Sequence, residues 1–308
     1  MATQRLGKHD ARWALILAGG EGSRLRPLTR RISGQDLPKQ FCPLIGSSTL
    51  FEQTRQRAAL VIDEARMVTV VTRPHERFYS RILADVPADR VVVQPRNRGT
   101  APAIIYALAR LAAAGADAPV AILPSDHYVD SDEAFMRHVD AAFRAVTTRP
   151  ELIVLLGIEP DAPEPSYGWI EPGEPIAGTN LIRVRRFWEK PSPERALSFW
   201  RSGFLWNSFV MVTQVASLLE LLRDALPDLY ASFEEIRCDL GTAREQQAIE
   251  ALYEKLGEVS FSDEVLGKAP DNLAVLPVTG VEWSDLGEPQ RVFEILEREG
   301  VQVAWAVA

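Results

Sequence analysis

Cysteine and histidine are scarce in this sequence: two cysteines, Cys42 and Cys238, and four histidines stand among 308 residues. Two cysteines are too few for a disulfide scaffold, so two reduced thiols are expected. Four histidines without close pairing argue against a histidine-built zinc site. No apolar run reaches the ~20 residues needed to span a bilayer. The start, Met1 to Asp10, is polar and lacks the apolar core of a signal peptide. Positive charge is in deficit as well, with 34 Lys and Arg against 42 Asp and Glu and a net charge of -8. An acidic chain without a basic block is a poor candidate for binding nucleic acid. These absences lead to the expectation of a cytoplasmic protein with neither a membrane nor a nucleic-acid partner. Apolar residues at 46% and charged residues at 25% are ordinary for a globular enzyme. The length fits one large domain, or a core with a smaller appendage.

What is present is an alternation of short β-rich runs and longer helical patterns. Trp13–Leu17, Met67–Val71, Val91–Val93, Val120–Leu123 and Leu152–Leu156 read as strands. Between them lie a capping-box start at Thr49, a helix after Pro74, and helices over Ala101–Ala114 and Ala134–Val146. Strand and helix alternating in this way predict an α/β fold with a largely parallel sheet and helices on both faces. After Gly157 the pattern loosens. Glu159–Pro165 reads as a loop, Tyr167–Glu171, Ile182–Trp188 and Trp206–Val212 as strands, and Gln214–Gly257 as helix. Leu273–Val278 returns to strand, Glu288–Glu299 to helix, and Val301–Val307 reads as a last apolar strand. A soft boundary falls near residue 240, separating a core (1–240) from a mostly helical C-terminal extension (241–308), although the late strand is expected to join the core. The helical stretch carries no recognisable chemistry and reads as packing or as a subunit surface, which allows a homodimer.

The first strand runs into Leu17-Ala-Gly-Gly-Glu-Gly-Ser-Arg-Leu-Arg-Pro-Leu-Thr29. Glycines there let backbone approach a ligand and turn N–H groups toward anionic oxygens. A loop at the carboxyl end of a first strand is the usual nucleotide position in open α/β sheets. Two common phosphate motifs fail: no Lys-Ser or Lys-Thr follows the loop, and a dinucleotide fingerprint from Gly20 lacks its third glycine, with Leu25 in its place. Arg24 and Arg26 supply cations beside the loop. Pro38-Lys39-Gln40-Phe41 then sets a lysine between a rigid residue and an apolar anchor, which favours an inward-pointing side chain. Leu123-Pro-Ser-Asp-His127 puts a carboxylate at the end of a central strand, facing the ligand crevice. Ser125, Asp126 and His127 are consecutive on an extended chain and cannot converge as a triad.

Together these segments resemble the sugar-1-phosphate nucleotidyltransferases, and the Lys-Gln-Phe ending is closest to the mannose-1-phosphate guanylyltransferases. Gln94-Pro-Arg-Asn-Arg-Gly-Thr-Ala-Pro-Ala103, Tyr167-Gly-Trp-Ile170, Phe187-Trp-Glu-Lys-Pro191, Gly203-Phe-Leu-Trp-Asn-Ser208 and Glu282-Trp-Ser-Asp-Leu-Gly287 continue the likeness in family order. The resemblance implies a Rossmann-like nucleotidyltransferase core. It implies that Ala18, Gly19, Gly20 and Gly22 hold the nucleotide, that Arg24 and Lys39 hold its phosphates, and that Gln94 and Gly99 belong to the base-recognition turn. Asp126 and Asp285 would bind Mg²⁺, with Asp126 also touching the nucleotide and His127 beside it as a supporting residue. Gly168, Glu189, Lys190 and Asn207 would form the sugar-phosphate side, with Lys190 on the phosphate. Strict strand alternation puts only one of Glu189 and Lys190 in the pocket, so this assignment needs a bend near Pro191. Two departures from the family stand out: Pro165-Ser166 where Thr-Gly is common, and Phe209 where glycine is usual. The second catalytic domain or β-helix that follows the transferase unit in some guanylyltransferases is not expected here.

The implied reaction joins a nucleoside triphosphate, with GTP leading, to a sugar-1-phosphate, with mannose-1-phosphate leading, and releases pyrophosphate. Arg24, Lys39, Asp126, Lys190 and Asp285 would carry the chemistry. Uridylyl or thymidylyl transfer to glucose-1-phosphate is the alternative within the class. A catalytically silent sugar-nucleotide sensor on the same fold is the alternative outside it.

Overall fold

The computed structural model describes residues 11–301, 303 and 305. The polar start and most of the expected last strand lie outside the described residues. In chain order the strands are β1 (Trp13–Leu17), β2 (Met67–Thr72), β3 (Val91–Gln94), β4 (Pro119–Pro124), β5 (Tyr128–Val129), β6 (Ile153–Ile158), β7 (Gly168–Pro175), β8 (Ile182–Glu189), β9 (Leu205–Gln214), β10 (Leu273–Val278) and β11 (Trp283–Ser284). The helices are α1 (Arg26–Ser33), α2 (Leu50–Ala58), α3 (Glu76–Tyr79), α4 (Thr100–Ala113), α5 (Asp132–Thr148), α6 (Pro193–Arg201), α7 (Val215–Ala225), α8 (Pro227–Glu235), α9 (Glu245–Lys255) and α10 (Pro289–Arg298).

Nine strands form one sheet in the order β3-β2-β1-β4-β9-β6-β10-β8-β7. Only β9 and β8 run against the rest, so the sheet is largely parallel. Strand β1 shows why both faces are covered. Its residues are all apolar and alternate sides, Ala14 and Ile16 packing into one core and Trp13 and Leu15 into the other. Helices α2, α5 and α6 close the first face, and α4, α7 and α8 the second. Thr49 caps α2 with the expected reciprocal box, its side chain accepting from Glu52 N–H while Glu52 accepts from the Thr49 N–H. Strand β10 sits inside the sheet between β6 and β8, so the late segment does join the main layer.

Two local features shape the site. Strand β9 is inserted between β4 and β6, and its register with β6 shifts between Leu155 and Gly157. Three β9 residues, 208–210, face the single residue 156, so the strand bulges there. Its pairing with β4 ends at Met211, which leaves the end of β4 free to turn into the crevice. The second feature is the ribbon of β5 and β11, which pairs Tyr128 with Ser284 and Val129 with Trp283. Asp126 lies two residues before β5 and Asp285 follows β11, so this ribbon brings the two aspartates together.

Candidate active site

The glycine loop is braced from three directions. Gly22 has φ +57°, and a Cβ there would stand 2.8 Å from the Lys39 backbone nitrogen, so both backbone and space demand glycine. Gln40 donates to Ala18 O at 2.9 Å and to Gly20 O at 2.8 Å, fixing the carbonyls so that the loop keeps one shape. Ser125 Oγ donates to Leu17 O at 2.7 Å and ties the end of β4 to the end of β1. That bond gives Ser125 a structural task and agrees with the absence of a triad.

A cavity of about 300 Å³ opens over these strand ends, at the small end of the ~300–1,000 Å³ typical of ligand sites. Gly19, Gly20, Gln94, Gly99 and Asp126 all line it, so these expected nucleotide residues share one space. Gln94 is buried and accepts from Tyr253 Oη at 3.1 Å through its Oε1, which leaves its amide N–H groups for a ligand. Gly99 has φ +84°, and a Cβ there would collide with Val259 O at 2.3 Å. The turn is held by Asn97 Oδ1, which accepts from the Gly99 N–H at 2.8 Å.

Lys39 points inward as expected, its side chain only 7% exposed. Its Nζ lies 3.0 Å from Asp126 Oδ2 and donates to the Asp285 carbonyl. Burial alone would raise the Asp126 carboxyl, but the charge and hydrogen bond of Lys39 outweigh it and hold it below the usual carboxylate range. His127 is pushed down to about 4, first by burial and despite Asp126, so its ring is neutral. The ring packs edge-on against Trp283 with centroids 5.1 Å apart. Asp285 Oδ1 accepts from Gly287 N–H at 2.7 Å and from Arg291 at 2.8 Å, and Arg24 stands 3.8 Å from Oδ2. The Arg24 side chain is 55% exposed.

Among the residues expected to meet the sugar phosphate, Gly168 pairs with Glu189, and a Cβ at Gly168 would meet Phe187 Cζ at 2.8 Å and Glu189 Oε2 at 3.1 Å. Lys190 has φ +42°, so the bend required by the alternation argument falls on the lysine itself. Its N–H donates to Tyr167 O at 3.2 Å, and its Nζ, on a side chain 62% exposed, reaches Glu189 Oε1 at 3.3 Å. Burial pushes the Glu189 carboxyl up, Lys190 pulls it down, and Asp263 adds to the upward push. Asn207 is buried in β9, with its Oδ1 accepting from Phe209 N–H at 3.1 Å. Trp206 packs edge-on against Tyr167 and serves the core.

Two residues were not singled out from sequence. Gln40 stood inside a quoted motif, but no local signal marks it as the brace of the loop. Arg291, three residues into α10, reads as an ordinary surface arginine. In the fold it is a hub: it donates to Tyr167 Oη and to Asp285, lies 3.2 Å from Ser166 Oγ and 2.5 Å from Glu164, and covers the Tyr167 ring at 4.4 Å. The Pro165-Ser166 departure thus has a partner in Arg291.

A glycine loop over a central parallel sheet, with a buried lysine joining two aspartate-bearing turns, is the architecture of nucleotidyl transfer, and the chain belongs to the nucleotidyl transferase family, which its residues 13–300 match. Among relatives, it is 32% identical to the alginate biosynthesis protein AlgA of Pseudomonas fluorescens over 290 residues, 89% of this chain and 56% of that protein. It is also 32% identical to the mannose-1-phosphate guanylyltransferase of Sinorhizobium fredii over 295 residues, 91% of this chain and 54% of that protein. The structure resembles that of mannose-1-phosphate geranyltransferase from Thermus thermophilus, with TM-score 0.80 and 32% identity, over 95% of this chain and 80% of that chain. The chain spans just over half the length of the curated relatives it matches.

Proposed function

We propose that the chain transfers a guanylyl group from GTP to mannose-1-phosphate, giving GDP-mannose and pyrophosphate. The observation that carries this reading is the junction at Lys39, which joins Asp126 and Asp285 at the mouth of the cavity lined by the glycine loop, Gln94 and Gly99. Names among the relatives support the choice of guanylyl and mannose.

In this reading an oxygen of the sugar-1-phosphate attacks the α-phosphorus of the triphosphate in line. The bond from that phosphorus to the bridging oxygen breaks, and pyrophosphate leaves. Such transfer needs alignment and charge neutralisation more than a protein nucleophile. The loop N–H groups receive the nucleotide phosphates, and Lys39 and Arg24 neutralise them. Gln94 and the Gly99 turn hold the base. Glu189 and Asn207 orient sugar hydroxyls, and Lys190 offsets the repulsion between the two phosphates. Asp126 and Asp285 fit Mg²⁺ in donor chemistry, since both are hard oxygen ligands on turns that Lys39 holds together through the Asp126 carboxylate and the Asp285 backbone carbonyl. Mg²⁺ held there would supply charge stabilisation to the phosphates.

The test is pyrophosphate release across nucleoside triphosphates and sugar-1-phosphates. With mannose-1-phosphate, GTP should be turned over faster than UTP, dTTP, CTP or ATP. Equal or faster turnover of dTTP with glucose-1-phosphate would overturn the guanylyl assignment and leave the reaction class standing.

A further inference from the structure

The helical stretch that carries no recognisable chemistry in sequence sends one side chain to the nucleotide cavity. Tyr253 stands on α9, fully buried, and its Oη donates to Gln94 Oε1 at 3.1 Å. Gln94 ends β3 and is itself buried, in the wall of that cavity. The contact is held from several sides. Arg98 Nε, from the turn that carries Gly99, donates to the Tyr253 carbonyl at 3.2 Å. The Tyr253 ring packs edge-on against Phe233 and tilted against Tyr106, with centroids 6.4 and 6.5 Å away.

This pairing decides which way the Gln94 amide faces. Among the described residues Tyr253 Oη has no other partner, and burial pushes the phenol up, so the hydroxyl keeps its proton and has one place to donate it. A carbonyl oxygen can receive that proton and an amide nitrogen cannot, so Oε1 is turned toward α9 and Nε2 is left for the cavity. Nε2 lies beside the glycine loop, where a Cβ on Gly19 would meet it at 2.9 Å. Gln94 therefore offers an occupant N–H donors only. Nucleobases differ on this point: guanine, uracil and thymine carry an oxo acceptor on the edge where adenine and cytosine carry an amino donor.

We propose that Tyr253 is a positioning residue for base selection: by holding Gln94 Oε1 it makes the amide a pure donor toward the cavity, which accepts an oxo-bearing nucleobase and rejects an amino-bearing one. This deepens the nucleotidyl-transfer reading of the site and rests on it, in particular on Gln94 meeting the base.

The test uses Tyr253→Phe, which removes only the hydroxyl, together with Gln94→Leu and the double variant, all in the full chain. With mannose-1-phosphate, kcat/KM is measured for ITP and ATP, whose purines carry an oxo and an amino group at the same ring position. The native chain should prefer ITP. Without the hydroxyl the amide can turn over and present its oxygen. Tyr253→Phe should therefore shrink the ITP-to-ATP ratio roughly tenfold, through the KM for the nucleotide and with the KM for mannose-1-phosphate unchanged. Gln94→Leu should shrink the ratio at least as far, and the double variant no further than Gln94→Leu, because the hydroxyl acts through the amide. A native chain that turns over ATP as well as ITP would overturn the proposal. A native ratio in Tyr253→Phe, even with a lowered melting temperature, would reduce the residue to packing, as would an effect of equal size in the Gln94→Leu background. Should Tyr253→Phe fail to fold, a native ratio in Gln94→Leu would still overturn the proposal by removing the amide from base selection. A native chain that prefers UTP or dTTP to GTP would overturn the guanylyl assignment and support this proposal, since those bases carry the oxo group too. A native chain that turns over no nucleotide would overturn the underlying reading, and the proposal with it.

Discussion

At the scale of single residues, the site is built from exceptions to local rules. Gly22 can take its left-handed turn and let Lys39 approach because it has no Cβ, and Lys39 then reaches Asp126 and the Asp285 carbonyl. The inward lysine was legible in sequence, since proline fixes the backbone before it and Phe41 anchors it after. Its second partner was not, because Asp285 lies 246 residues further on and only the fold brings it near. Lys190 teaches the same lesson. Alternation said one of two neighbours must turn away, yet a single positive φ redirects the lysine. If Asp126 and Asp285 serve one ion, Asp126→Asn and Asp285→Asn should each lower kcat/KM on the order of a hundred- to a thousandfold, equivalent to several kcal/mol of lost charge stabilisation. The double variant should be little worse than either single, because groups acting as a unit are non-additive. Steady-state kinetics alongside circular dichroism check this. Losses that multiply in the double variant would separate the two carboxylates functionally.

At the scale of elements, most strands and helices declared themselves by periodicity, and those that position the chemistry did not. Strands β5 and β11 are two residues each, too short to carry any pattern, yet they bring Asp126 and Asp285 together. The bulge in β9 is also silent in sequence, apart from Phe209 standing where glycine is usual. Helix α10 was legible in sequence, but its link to the loop before β7 was not, because that link is Arg291 bonding to Glu164, Ser166 and Tyr167 across the fold. Arg291→Met would leave Glu164 and Asp285 without this partner inside a half-buried network. Losing charge-assisted bonds there should lower stability by about 1–3 kcal/mol and weaken binding of the sugar phosphate. Arg291→Lys should recover only part, since an ammonium cannot reproduce the fork of a guanidinium. Urea midpoints and the KM for mannose-1-phosphate measure both effects. A native midpoint with a native KM in Arg291→Met would show the hub to be idle.

At the scale of the whole molecule, the layered α/β fold was legible, while the strand order was not. Strand β9 inserts between two earlier strands and β10 returns to lie beside β6, and pairings so far apart in sequence leave no local trace. The same burial that closes the layers governs acid stability. His75, His127 and His138 are each held below the ordinary histidine value, first by burial, and His127 reaches about 4. Below pH ~6.5 the unfolded chain takes up protons on these rings that the folded chain refuses, so stability is full above that pH and is lost as pH falls toward about 4. Urea midpoints should therefore decline from pH 7 to 5, and less steeply in His138→Gln; a flat profile would show that the rings charge freely in the fold. The central claim, transfer of the nucleotidyl group itself, is tested most directly by following labelled phosphorus. GTP labelled at the α-phosphorus, and separately at the γ-phosphorus, is incubated with the chain, Mg²⁺ and mannose-1-phosphate. The account predicts α-label in a nucleotide sugar and γ-label in pyrophosphate, both only when the sugar phosphate is present; γ-label appearing instead as free phosphate or on the sugar would contradict it.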